Sequence, residues 1–176
     1  MATANATVTI KGISPLLMHA FPLVAPEALE KKKPEEQAEI AAYRDADKNL
    51  YIPGMNIQRA LVAAASYSKG KGRASLQKQV AACLSVNPEH VSLNTKVYTV
   101  DSRAVVVPAT KGRVVRHRPR LDAWQVKFTL EWDDTLLTET NVRRIVDDAG
   151  QRVGLLDFRP EKKGPFGRYM VTSWES

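Results

Sequence analysis

The chain has 176 residues, a size that suits one domain with a core of its own, and its 26 Lys and Arg against 19 Asp and Glu leave a formal charge of +7. A single cysteine, Cys83, excludes an internal disulfide and a cysteine-based zinc site, and within Val80-Ala81-Ala82-Cys83-Leu84 it reads as a small buried hydrophobe. No stretch approaches the roughly 18 apolar residues of a membrane span, and the first residues lack the basic start and apolar run of a signal peptide, so the chain is expected to be cytoplasmic.

Residues 6–13 alternate, with Val8 and Ile10 on one side and Thr7, Thr9 and Lys11 on the other, which predicts a half-buried strand. Residues 26–44 predict a surface helix interrupted at Pro34, with a narrow apolar face of Ala38, Ile40, Ala41 and Ala42. Leu50-Tyr51-Ile52 predicts a short extended piece ending in a turn at Pro53-Gly54. Asn56 is the expected cap of a helix from Ile57 to Ser68, with Ile57, Leu61, Ala64 and Ala65 on one buried face. Lys69-Gly70-Lys71-Gly72-Arg73 reads as a mobile cationic loop, and a second helix is expected over 76–84, closed by Asn87-Pro88.

From Val91 to Trp132 the chain is strand-like, being rich in β-branched residues. The clearest strand runs over 124–132, where Trp124, Val126, Phe128, Leu130 and Trp132 share one face. A helix over 139–149 follows, with Thr138 as cap, Val142, Ile145, Val146 and Ala149 buried, and Gly150 as its stop. Residues 153–157 are expected to extend. Gly164-Pro165-Phe166-Gly167 predicts a tight loop and 168–174 a last strand. The order of strand, helix, strands, helix and strand predicts an α+β, ferredoxin-like single domain over 1–176. Helices would cover one face of its antiparallel sheet. A helical insertion (about 20–50) and a basic β-hairpin (about 100–121) would be added to it.

The charge is unevenly spread. Residues 27–48 hold seven acids and five bases, so the other 154 residues hold 21 bases and 12 acids. A basic surface favours polyanionic partners. Three clusters stand out. Lys111, Arg113, Arg116, Arg118 and Arg120 fall in one acid-free stretch, where strand alternation puts Arg116, Arg118 and Arg120 on one side. Arginine's planar fork suits phosphate oxygens. Arg159, Lys162, Lys163 and Arg168 surround a glycine-rich loop whose backbone N–H groups could form an anion nest, with Gly164 and Gly167 allowing a ligand's close approach. Lys69, Lys71 and Arg73 would close over a bound strand. Phe158 and Phe166 could stack on bases or belong to the core, with the core favoured for Phe158. His19, His90 and His117 lack metal-ligand spacing, and the adjacent pairs Asp133-Asp134 and Asp147-Asp148 point apart. No metal, cofactor or catalytic constellation is expected.

Tyr51-Ile-Pro-Gly-Met-Asn-Ile-Gln-Arg-Ala-Leu61 resembles the Ile-Pro-Gly-Ser-Ser-Leu-Lys-Gly-Ala-Leu-Arg turn and helix start of the RAMP superfamily of CRISPR-associated proteins. Ile52, Pro53, Gly54, Ala60 and Leu61 match, and Ile57 replaces a leucine. Met55 and Asn56 stand where serines are usual, and Arg59 where the family has glycine. The stretch from Gly154 to Arg168 resembles that superfamily's late glycine-rich loop. The resemblance implies an RRM-like protein of the backbone-subunit type that coats single-stranded RNA as a repeating oligomer or filament, with residues 100–120 as a thumb reaching the next subunit. A similar scaffold in a phage could coat single-stranded DNA. The RNA-processing branch of the superfamily implies another reading, an endoribonuclease with His19 as general base. A third is an assembly protein using the acidic 27–48 segment.

Overall fold

A computed structural model of the chain describes residues 2–176. In chain order the elements are β1 (Thr3–Gly12), β2 (Leu16–Leu17), α1 (Pro26–Glu30), α2 (Pro34–Ile40), β3 (Tyr51–Pro53) and α3 (Gly54–Ala64). There follow α4 (Gln77–Cys83), β4 (Leu84–Asn87), β5 (His90–Ser92), β6 (Thr99–Val106) and β7 (Arg113–Leu121), then β8 (Gln125–Asp133), α5 (Glu139–Asp148) and β9 (Tyr169–Glu175). The described residues form an α+β structure with antiparallel sheets and five α-helices. No described helix is long and apolar enough to cross a membrane.

The alternation read over 124–132 becomes β8, the second strand of a four-stranded sheet ordered β4-β8-β1-β9. Every pairing in this sheet is antiparallel. Val8 lies opposite Phe128 and Ile10 opposite Val126, so the apolar sets of β1 and β8 fall on the same face. Thr7 opposite Thr129 and Thr9 opposite Lys127 make the other face polar. A one-residue slip would turn every one of these side chains over, which is why the pattern dictates the register.

On the apolar face lie α3, through Ile57, Ala60, Leu61 and Ala64, and α5, through Val142, Ile145 and Val146. The alanines keep α3 thin, and each large aliphatic buried there contributes about 1.5–3 kcal/mol. Thr138 caps α5, its Oγ1 accepting from the Asn141 backbone N–H at 3.1 Å.

Outside this sheet, β2, β7 and β6 form a second, three-stranded sheet, and β3 pairs with β5. The long hairpin of β6 and β7 carries residues 99–121, and α1 and α2 occupy the chain between β2 and β3. Pro34 breaks the 26–44 region into α1 and α2, as its missing N–H requires.

Several local expectations are corrected. The third helix begins at Gly54, directly after Pro53, so Asn56 sits in its first turn and caps nothing. Asn87 does not merely close a helical region but ends a strand, β4, that pairs with β8. Gly150 does not stop α5, because a π-turn over Ala149–Val153 continues it. The chain turns instead at Gly154, whose φ of +76° is the left-handed conformation that glycine tolerates. Residues 153–157 therefore form that turn, with no strand. Cys83 is only partly buried, packed against the rim of the core.

Candidate nucleic-acid interface

The β6–β7 hairpin sets the charge of the site. Arg103 lies opposite Arg116, and Asp101 opposite Arg118, in its ladder. Asp101 is buried and takes a two-pronged grip from Arg103, with Nε at 2.7 Å and Nη2 at 2.8 Å. Arg120 adds a longer contact to Asp101 at 3.3 Å and a closer one to Asp122 at 2.7 Å. Hydrogen bonds from Arg103 hold the Asp101 carboxyl below its usual range against the opposing effect of burial, with Arg120 reinforcing them. Arg118 is buried, and its Nη1 donates to Asp157 Oδ2.

The acid-free look of residues 111–120 is thus undone by the fold. Asp101 and Asp157 come from other segments, Asp122 stands two residues beyond Arg120, and together they occupy Arg118 and Arg120. Arg116 has no carboxylate within 4.0 Å among the described residues, and neither do Lys111 and Arg113 toward the hairpin's tip. Of the three arginines expected to present one phosphate-binding face, Arg116 alone is free.

Two clefts meet beside this hairpin. One, of about 530 Å³, lies between the hairpin and residues 157–162 and is lined by Arg103, Arg116, Arg118, Phe158 and Lys162. The other, of about 480 Å³, lies against α3 and is lined by Phe21, Tyr43, Asn56, Arg59, Gly154 and Arg159. His19 and Asp157 line both, so the clefts are contiguous at that pair. His19 Nδ1 stands 3.5 Å from Asp157 Oδ2. Burial works to raise the Asp157 carboxyl, but the hydrogen bond with His19 and the nearby Arg118 charge outweigh it and hold it below the usual range. Among the described residues Arg59, Arg116 and Lys162 have no acidic partner. The contiguous clefts therefore carry free positive charge along their length.

The glycine-rich loop is not an open anion nest. The Gly164 N–H donates to Arg159 O at 3.0 Å, Phe166 N–H to Phe158 O at 3.1 Å and Gly167 N–H to Pro15 O at 2.8 Å. The close approaches that Gly164 and Gly167 permit are to the chain's own Phe158 and Leu155. Arg159 is held by Glu161 at 2.8 Å and by Leu156 O at 2.9 Å. Lys162 faces the hairpin cleft, whereas Lys163 and Arg168 are exposed and line neither cleft. Phe158, favoured for the core, is instead 36% exposed and lines the cleft, whereas Phe166, left open between base stacking and core, is buried at 4%. Arg103 sits over the Phe166 ring at 4.8 Å and the Phe158 ring at 5.6 Å, which braces the cleft wall.

Lys69, Lys71 and Arg73 are exposed and lie beyond the C-terminal end of α3. Their loop folds back on itself through a Gly70 N–H bond to Ala74 O at 3.0 Å and a bridge between Lys69 and Ser75. It lines neither cleft. The clefts in turn present residues that reading along the chain passed over as ligands: Phe21, Tyr43, Asn56, Arg59 and Arg103. The one available signal was Arg59, a cation placed where the resembled turn-and-helix pattern has glycine. Among the described residues, no group of three or more His, Cys, Asp or Glu side chains could hold a metal ion.

No family model matches the chain, and no curated protein matches it. Among solved structures, the chain is similar to one from the cryo-EM structure of the Type III-B Cmr-beta bound to cognate target RNA, with a TM-score of 0.52 and 10% identity. The match covers 98% of this chain but 60% of that one, and at this identity it speaks for the fold.

Proposed function

We propose that the protein binds single-stranded nucleic acid, RNA in the first instance, as a non-catalytic subunit that coats the phosphate backbone in a CRISPR-like ribonucleoprotein. The observation that carries this reading is the pair of contiguous clefts flanked by Arg116, Lys162 and Arg59, cations with no acidic partner among the described residues. Free cations release counterions when they meet phosphate, and that release drives binding. Cations already held by aspartate have less to offer. The strand order β4-β8-β1-β9, with α3 and α5 on one face, supports a ferredoxin-like reading of the fold. The similar solved structure belongs to an assembly that holds a target RNA, which favours RNA and partner subunits. The hairpin tip, with Lys111 and Arg113, would reach a neighbouring subunit. Lys69, Lys71, Arg73, Lys163 and Arg168 would extend the positive field beyond the clefts.

The test is an anisotropy titration of labelled single-stranded RNA and DNA of matched sequence at several salt concentrations, with light scattering on the mixtures. Salt-dependent binding, with particles that grow stepwise with oligonucleotide length, is expected. Preference for DNA would move the reading to a phage-type coat. No binding at low salt would remove it.

His19 favours a second reading, metal-independent RNA cleavage. Its Nδ1 faces Asp157, which would orient the ring and leave Nε2 to act as general base. Cleavage that persists in chelator and disappears in His19→Ala would establish that activity.

A further inference from the structure

We infer that the 480 Å³ cleft against α3 accepts one unstacked nucleobase of the bound strand, in particular a base carrying an exocyclic amine. The inference rests on the single-strand reading above and goes beyond it, because a coat that touches phosphates alone has no use for such a cavity. Its volume lies within the range of small-ligand sites. Two aromatics line it: Phe21, 86% exposed, which must therefore stand at the mouth, and Tyr43, partly buried within. An exposed ring at the mouth presents a face on which a base can stack.

The polar lining argues for a base over a phosphate. Asp157 and Glu161 both face the cleft, and two carboxylates repel a phosphate. Oδ2 of Asp157 meets both Arg118 and His19, and Oε1 of Glu161 accepts from Arg159, which leaves the second oxygen of each free of these contacts. A carboxylate has about four lone-pair sites, so acceptor capacity remains. Acceptors beside aromatic faces suit a flat group with N–H donors, which describes cytosine, adenine and guanine better than uracil. Arg59 is exposed, lines the same cleft and has no acidic partner among the described residues, so it can hold the phosphate of the nucleotide whose base is inserted.

The experiment compares three oligomers of one length: oligocytidylate, oligouridylate and an abasic tetrahydrofuran backbone. Wild type and Phe21→Ala are titrated with each, and Phe21→Tyr serves as the conservative control. Phe21 is so exposed that its loss leaves the fold intact. Phe21→Ala is expected to weaken cytidylate binding about tenfold, to leave abasic binding unchanged, and to be rescued by Phe21→Tyr. Wild type should prefer cytidylate to uridylate by at least about tenfold, the share of one hydrogen bond to a charged acceptor. If Phe21→Ala leaves cytidylate binding unchanged while the abasic oligomer still binds, the base site is overturned and the backbone-coating reading stands. Equal affinity for cytidylate and uridylate overturns the amine preference. Failure of wild type to bind any oligomer, the abasic one included, overturns the coating reading itself and this inference with it.

Discussion

Arg118 is buried in the hairpin, and its guanidinium donates to Asp157, 39 residues further along the chain. The bond ties the hairpin to the turn that follows α5, and so holds together the two walls of the cleft between them. It also separates an arginine held within the fold from one without an acidic partner among the described residues, two positions earlier on the same strand face, Arg116.

Arg118→Ala should therefore act on stability. It strands a carboxylate that is only a third exposed. Breaking a buried pair costs about 3–5 kcal/mol, and water reaching Asp157 brings the expected loss to about 2–3 kcal/mol. Urea midpoints measure it. Arg116→Ala should change the stability by less than about 0.5 kcal/mol. Equal destabilisation by both variants would contradict the division of roles.

The double variant Arg116→Ala with Lys162→Ala should weaken binding alike for all sequences. Two lost phosphate contacts on a single strand reduce the slope of log K against log salt by about 1.4. Anisotropy titrations over a range of salt concentrations read that slope directly, and an unchanged slope would take both residues off the phosphate path.

Asp101 predicts a pH dependence. Its carboxyl titrates below its unfolded value of about 3.9 because Arg103 hydrogen-bonds the charged form. Its contribution is complete above the unfolded value and is lost as pH falls through the lower folded value. Asp101→Asn should then lower the melting temperature at pH 6, and the gap to wild type should close as pH is taken from 4 downward. A gap that is constant with pH would mean that the charge of Asp101 stabilises nothing.

Gly154→Ala should cost about 1–3 kcal/mol. The residue has φ +76°, and an added Cβ would lie 2.7 Å from Pro160 Cδ and 3.0 Å from Arg159 Cβ. Chemical denaturation measures the loss. Because Gly154 lines the α3 cleft, the variant should also weaken nucleic-acid binding while it is still folded.

Much of the scaffold was legible in local pattern. The period-two run of β8 and the Thr138-capped α5 both formed where read, because alternation and capping depend on neighbours two to four residues away. Pro34 divided its helix for the same local reason. Boundaries governed by longer reach were misread. The π-turn that carries α5 past Gly150 is one case, and Asn56, overtaken by a helix that starts at Gly54, is another.

The sequence by itself determined that this protein is a basic α+β chain, with arginines concentrated on one strand and a glycine-punctuated basic segment near its end. Only the tertiary structure decided which of those cations are free. Arg118 meets an acid 39 residues away, Arg120 meets one 19 residues away besides its neighbour Asp122, and the loop N–H groups close on carbonyls of the chain itself. Periodicity is a property of adjacent residues and is visible in the string. Charge neutralisation at a site depends on distances of a few ångströms between distant segments, and these exist only once the chain has folded.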